Sequence, residues 1–95
     1  MVVSMVQFIL EIPDVTSIKD KRKVIKSAKD RIFRKFRVSI AEVDLQDSLK
    51  FSQLGAALVS NSKTFGEEVM NKIINFVEDE VDGRLQDVSI HSEIF

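Results

Sequence analysis

The chain has 95 residues, 44% of them hydrophobic and 31% charged, with a formal net charge of −1, which fits an ordinary soluble globular protein and one domain over residues 1–95. It contains no cysteine, so a disulfide framework, a thiolate nucleophile and a Cys-type zinc site are excluded and nothing argues for secretion. The charge is sorted along the chain: Ser17–Arg37 holds ten of the fourteen Lys and Arg residues and only two acids, Asp20 and Asp30.

Val2–Ile12 is rich in Val, Ile and Phe and alternates, with Val6, Phe8, Leu10 and Ile12 on one face and Met5, Gln7, Ile9 and Glu11 on the other. This is a strand. Its second face is half apolar, so a central position or a partner on that side is expected. The apolar run lacks a basic leader and a small-residue cleavage site, and Gln7, Glu11 and Pro13 interrupt it. It therefore reads as neither signal peptide nor membrane span, and a cytoplasmic setting is expected. Pro13 ends the strand, and Pro13–Thr16 leads to a helix.

Ser17 is the expected N-cap, with Asp20 three residues on in a variant of the capping box. At 100° per residue Val24, Ile25, Ala28 and Ile32 share one apolar arc that Phe36 continues, while Lys19, Arg22, Lys23, Lys26, Lys29 and Arg34 lie opposite. Phe33 points to the basic side. Lys21, Arg31 and Lys35 flank the arc, where their methylene stems can cover its borders.

Arg37–Leu45 returns to β character through Val38, Ile40 and Val43, but its alternation is imperfect, so a bulge or partial pairing is expected. Gln46–Ser52 reads as a hairpin connection. Gln53–Ser60 is small and apolar on both parities, suiting a third strand in mid-sheet, and Gly55, Ala56 and Ala57 permit close approach. Thr64-x-x-Glu67 reads as a capping box before a second helix with Phe65, Val69, Met70, Ile73, Phe76 and Val77 at helical spacing. That helix ends in the acidic run Glu78–Glu80, against the macrodipole. Asp82-Gly83 makes a turn. In Leu85–Phe95, Gln86, Val88, Ile90, Ser92 and Ile94 alternate with the intervening residues as a last strand.

The order βαββαβ defines an α+β, ferredoxin-like two-layer sandwich with two helices on one face of a four-stranded antiparallel sheet. Right-handed crossovers place the first and third strands centrally. The other sheet face is left open, with Met5, Ile9 and either Val59 or Leu58 on it, a candidate homodimer or partner face.

The run SIKDKRKVIKSAKDRIFRKF, followed by VSIAEVDLQD and later QLGAALVSN, resembles the YlxP-like family of small uncharacterised bacterial proteins. The likeness spans nearly the whole chain in register. It implies a ferredoxin-like fold and a cytoplasmic setting, often near genes for translation and ribosome-maturation factors, and it implies no established activity and no catalytic residues. Arg37 stands where that family leads one to expect Asn, and Ala28 where Leu is usual.

The most concrete chemistry is nucleic-acid binding, RNA or the ribosome foremost, through Lys19, Arg22, Lys23, Lys26, Lys29 and Arg34, with Phe33 adding stacking. The alternatives are a lysine-rich face that only solvates the helix, or one that docks a protein. Recognition across the sheet, as in an RRM, is not expected, because the third strand offers Leu, Ala, Gly and Val and the first only Phe8. A dimeric interaction module is the other serious reading, and a small-ligand sensor of the ACT type ranks last.

No catalytic constellation is visible, so no enzyme is expected. An acylphosphatase-like site needs a phosphate-cradling loop with a placed Arg, and Pro13–Ser17 contains neither Gly nor Arg. Glu42, Asp44 and Asp47 near the hairpin, and His91 with Glu93 on one face, are the only hints of a cation site, and each is more ordinarily solvated. No cofactor and no membrane are expected.

Overall fold

Strand β1 (Val2–Glu11) buries every second residue from Val2 to Leu10 and keeps Val3, Met5, Gln7 and Ile9 on the opposite face, as its alternation predicts. The computed structural model describes residues 1–95, continuing with α1 (Ile18–Phe36), β2 (Ser39–Asp44), β3 (Phe51–Ser60), α2 (Lys63–Glu80) and β4 (Arg84–Ile94). The strands form one antiparallel sheet in the order β2-β3-β1-β4. The two strands that are apolar on both faces are thus the central ones. The architecture is the α+β ferredoxin-like sandwich, with both helices on one face.

The core lies between that face and the helices. Val6, Phe8, Ile32, Met70 and Ile73 have no exposed surface, and burying a side chain of this kind contributes about 1.5–3 kcal/mol. Ile25, Ala28 and Ile32 supply the inward side of α1, and Met70, Ile73 and Val77 that of α2. At the open end of the helix layer Phe36 and Phe76 meet edge to face, with ring centroids 5.7 Å apart. The chain termini pair beside each other, Phe95 N–H donating to the Met1 carbonyl at 2.7 Å.

Several local expectations are corrected. Strand β3 begins at Phe51, two residues before the predicted start, because its pairing with β1 continues to Glu11. The cap of α2 is Ser62, whose Oγ accepts from Phe65 N–H at 3.2 Å; Thr64 lies inside the helix. The shift leaves Phe65 half exposed and puts Gly66 into the buried stripe. There a Cβ would stand 2.0 Å from Ser4 Oγ, so only glycine lets α2 lie this close to β1. Leu58 belongs to the helix-covered face, and Val59, 62% exposed, to the open one.

Both edge strands carry a bulge. In β2 the register shifts between Glu42 and Asp44, as the broken alternation predicts. In β4 it shifts opposite the Gln7–Ile9 stretch of β1, where Asp87 adopts φ 52°. The predicted unbroken alternation of β4 fails for this reason. Leu85, paired with Leu10, and Ile90, paired with Val6, both pack on the core although their parities differ.

Candidate nucleic-acid interface

Helix α1 is positioned at both ends and along one side. Ser17 Oγ accepts from Asp20 N–H at 3.1 Å, which satisfies one orphan donor of the first turn. At the other end Arg37 takes the left-handed conformation, φ 55° and ψ 45°, and its N–H donates to the Phe33 carbonyl at 2.8 Å. Between them the buried stripe fixes which side faces out.

The three cations predicted to border that stripe serve the fold. Lys21 is not a border residue at all: it is 1% exposed. Its Nζ donates to the Leu45 carbonyl at 2.6 Å and lies 3.4 Å from the Gln46 carbonyl and from Glu42 Oε2. Ser52, also buried, donates to the same Glu42 oxygen at 2.6 Å. Arg31 donates to the Glu80 carbonyl at 2.9 Å, capping the acidic end of α2, and lies over the Phe76 ring. Lys35 stands 5.5 Å from the centroid of Phe76 and 5.9 Å from that of Phe36.

The outward cations stand apart from these. Lys19, Arg22, Lys23, Lys26 and Arg34 are exposed and Lys29 is partly exposed, so the structure brings the predicted set onto one surface. Of the six only Lys26 has a carboxylate within 4.0 Å, that of Asp30 at 2.7 Å. The Lys26 hydrogen bond holds the Asp30 carboxyl below its ordinary value despite opposing desolvation, with the charges of Lys26, Arg34 and Lys29 adding to the effect. Phe33 is half exposed among the cations, as predicted. Arg37 was not among the predicted site residues, yet its guanidinium lies 5.8 Å from the Phe33 centroid. The signal for it was the position itself, the first residue after the helix, where the chain turns back along the same face.

The remaining sequence candidates fall elsewhere. Met5, Ile9 and Val59 share the open sheet face: Val3 pairs with Val59, Met5 with Ala57 and Ile9 with Gln53. Beside them a depression of about 220 Å³ is lined by Met5, Gln7, Ala41, Val43, Gly55 and Ala57 among others. His91 Nε2 and Glu93 Oε1 are 3.0 Å apart and exposed. Glu42, Asp44 and Asp47 do not converge, because Glu42 turns inward to Lys21 and Ser52 while Asp44 accepts from Leu45 N–H at 2.7 Å. A larger depression of about 500 Å³ lies where the β1–α1, β2–β3 and α2–β4 connections meet. Glu11 and Asp14 line it with Lys50 and Arg84, and none of the outward α1 cations reaches it. No helix is long and apolar enough to cross a membrane.

This is a ferredoxin-like domain displaying one basic helix face. The chain belongs to the family described as protein of unknown function DUF503, whose model matches residues 3–90. It is similar to the uncharacterized protein YlxP of Bacillus subtilis (strain 168), 36% identical over 65 residues that span 68% of this chain and 71% of that protein. Among solved structures it resembles the structural-genomics protein YJCS at a TM-score of 0.57 and 12% identity, over 98% of this chain and 99% of that one. That likeness shows the fold alone.

Proposed function

We propose that this protein is a cytoplasmic binding module, not an enzyme, that engages RNA, free or in the ribosome, through the outward face of α1. The observation that carries the reading is the partnering of the cations. Lys19, Arg22, Lys23, Lys29, Arg34 and Arg37 have no carboxylate within 4.0 Å, while the rest of the chain beyond Ser17–Arg37 holds thirteen acids against four basic residues. Unpaired cations on an acidic body favour an oriented polyanion over general adhesion. Residues three and four apart on a helix share a side, so several of these groups can follow one phosphate backbone.

The test is a binding titration of bulk RNA over a salt series. Engagement of about four phosphates of a single strand gives a slope of log affinity against log salt near −3, which is about fiftyfold between 50 and 200 mM salt. Arg22→Glu/Lys23→Glu replaces two exposed, unpaired side chains and is expected to remove binding without loss of fold. No binding at low salt, or undiminished binding by the double variant, overturns the reading.

A second reading, a homodimer through the open sheet face, is favoured by one observation. Val3, Met5, Ile9 and Val59 lie together on a face that no helix covers, and Val59 is 62% exposed. Burying them would supplement a small core. Light scattering that shows a dimer in the parent and a monomer in Val59→Lys supports it, and a strict monomer at high concentration removes it.

A further inference from the structure

Between the C-terminal half of α1 and the edge strand β2 lies a depression of about 300 Å³ lined by Lys29, Asp30, Phe33, Val38, Ser39 and Ile40. We propose that it takes one unpaired base of the strand whose phosphates lie along α1, with Phe33 as the stacking surface, so that the interface selects single-stranded RNA over duplex. The inference rests on the RNA reading above and adds the form of nucleic acid and the residue that reads it.

Four observations converge. Phe33 is 50% exposed and belongs to the same face as the cations, so its ring is apolar surface that the fold has left unburied. Phe33 itself lines the depression, and the Arg37 guanidinium lies over its ring at 5.8 Å from the centroid. Val38, 2% exposed, and the half-buried Ile40 give the depression an apolar base, and the exposed Ser39 gives it a hydroxyl. Its volume is at the lower end of sites that accept small molecules, roughly 300–1,000 Å³.

Charge completes the fit. Lys29 and Arg37 are four residues before and after Phe33, about 6 Å along the axis on either side, and Arg34 is adjacent. A base on the ring therefore has cations to both sides for its flanking phosphates. Asp30 is the one anion in the wall, and Lys26 holds its carboxylate at 2.7 Å. Stacking of a base on an aromatic ring flanked by guanidinium is tolerant of sequence and needs a base free of its partner. In an A-form duplex the bases are stacked within the helix, so a protein surface meets phosphates, 2′-hydroxyls and base edges but no open base face.

The experiment compares an unstructured oligouridylate with the same strand annealed to its complement, by fluorescence anisotropy at low salt. The parent is expected to bind the single strand about tenfold more tightly than the duplex, and Phe33→Ala to lose about tenfold on the single strand, with the salt slope unchanged and duplex binding unaffected. Phe33→Trp restores the parental affinity if stacking is the role. Circular dichroism checks that the variants fold, which an exposed site favours. Equal affinity for strand and duplex, or full single-strand binding by Phe33→Ala while Arg22→Glu/Lys23→Glu still fails to bind, overturns the base slot and leaves the phosphate reading intact. Absence of any RNA binding by the parent overturns both.

Discussion

The Lys21 ammonium donates to the Leu45 carbonyl at 2.6 Å, joining the first full turn of α1 to the β2–β3 connection 24 residues later. Leu45 itself adopts φ 64°, so the turn presents its carbonyl inward. Glu42 supplies the counter-charge at 3.4 Å and is held by Ser52. The group is buried, ionic and fully satisfied, and it fixes α1 against the hairpin that carries one wall of the proposed base slot.

Lys21→Met keeps the stem and removes the donor. It leaves the Leu45 carbonyl with only the Ser48 N–H at 3.1 Å and the Glu42 carboxylate without its cation, a loss of about 1.5–3 kcal/mol. Urea denaturation is the measurement, and the midpoint is expected to fall well below that of Lys19→Met, whose side chain is exposed. Equal midpoints for the two variants would show that the buried network is inert.

Gly66 gives a prediction whose sign opposes helix propensity. Alanine is favoured over glycine in a helix interior by about 1 kcal/mol, yet here its Cβ would meet Ser4 Oγ at 2.0 Å and Ser4 Cβ at 2.7 Å. Ser4 is fully buried on a central strand and bonded to Ser92, so it cannot swing away. Gly66→Ala is expected to destabilise by about 3 kcal/mol or more, and Gly66→Ala/Ser4→Gly to recover part of it, read by thermal melts.

Arg37 separates stability from binding. Its φ of 55° is a position where glycine carries no steric cost, so Arg37→Gly is expected to gain about 0.5–1 kcal/mol. The same change removes the guanidinium beside Phe33 and is expected to weaken RNA binding several-fold. A variant that melts higher and binds worse is the expected pair of results.

Asp30 tests the balance of charge. Because its folded value is depressed, chiefly by Lys26, the stability it contributes is present above the ordinary Asp value of about 3.9 and is lost as pH falls through the lower folded value. Lys26→Ala should raise the Asp30 value toward the ordinary one in an NMR titration. Asp30→Asn frees Lys26 for phosphate, and RNA affinity is expected to rise with a salt slope steeper by about 0.7 for a single strand.

Much of the molecule was legible because it is set by neighbours in sequence. The alternation of β1 placed Phe8 and Leu10 inward and Met5 and Ile9 outward, and the 3.6-residue period of α1 separated Ile25, Ala28 and Ile32 from Lys23 and Lys26. The α2 cap was misplaced because Ser62 and Thr64 both precede the apolar run and only the backbone of the β3–α2 turn chooses between them. The β4 bulge was not legible, since nothing in Gln86-Asp87-Val88 distinguishes a left-handed Asp from an ordinary strand residue.

The sequence by itself determined the order of elements and a helix with one apolar and one basic side, because each follows from a local period or cap; the central place of β1 and β3 follows from their two apolar faces and the handedness of the crossovers, and the family from the likeness of its motifs. Only the tertiary structure decided which cations are free. Lys21 and Lys23 are chemically alike and two residues apart, but one is sealed beneath the β2–β3 turn and the other faces water. That difference, like the meeting of Phe33 with Val38 and Ile40 around one depression, depends on segments that touch only when the chain is folded, and periodicity along one segment carries no record of what packs against it.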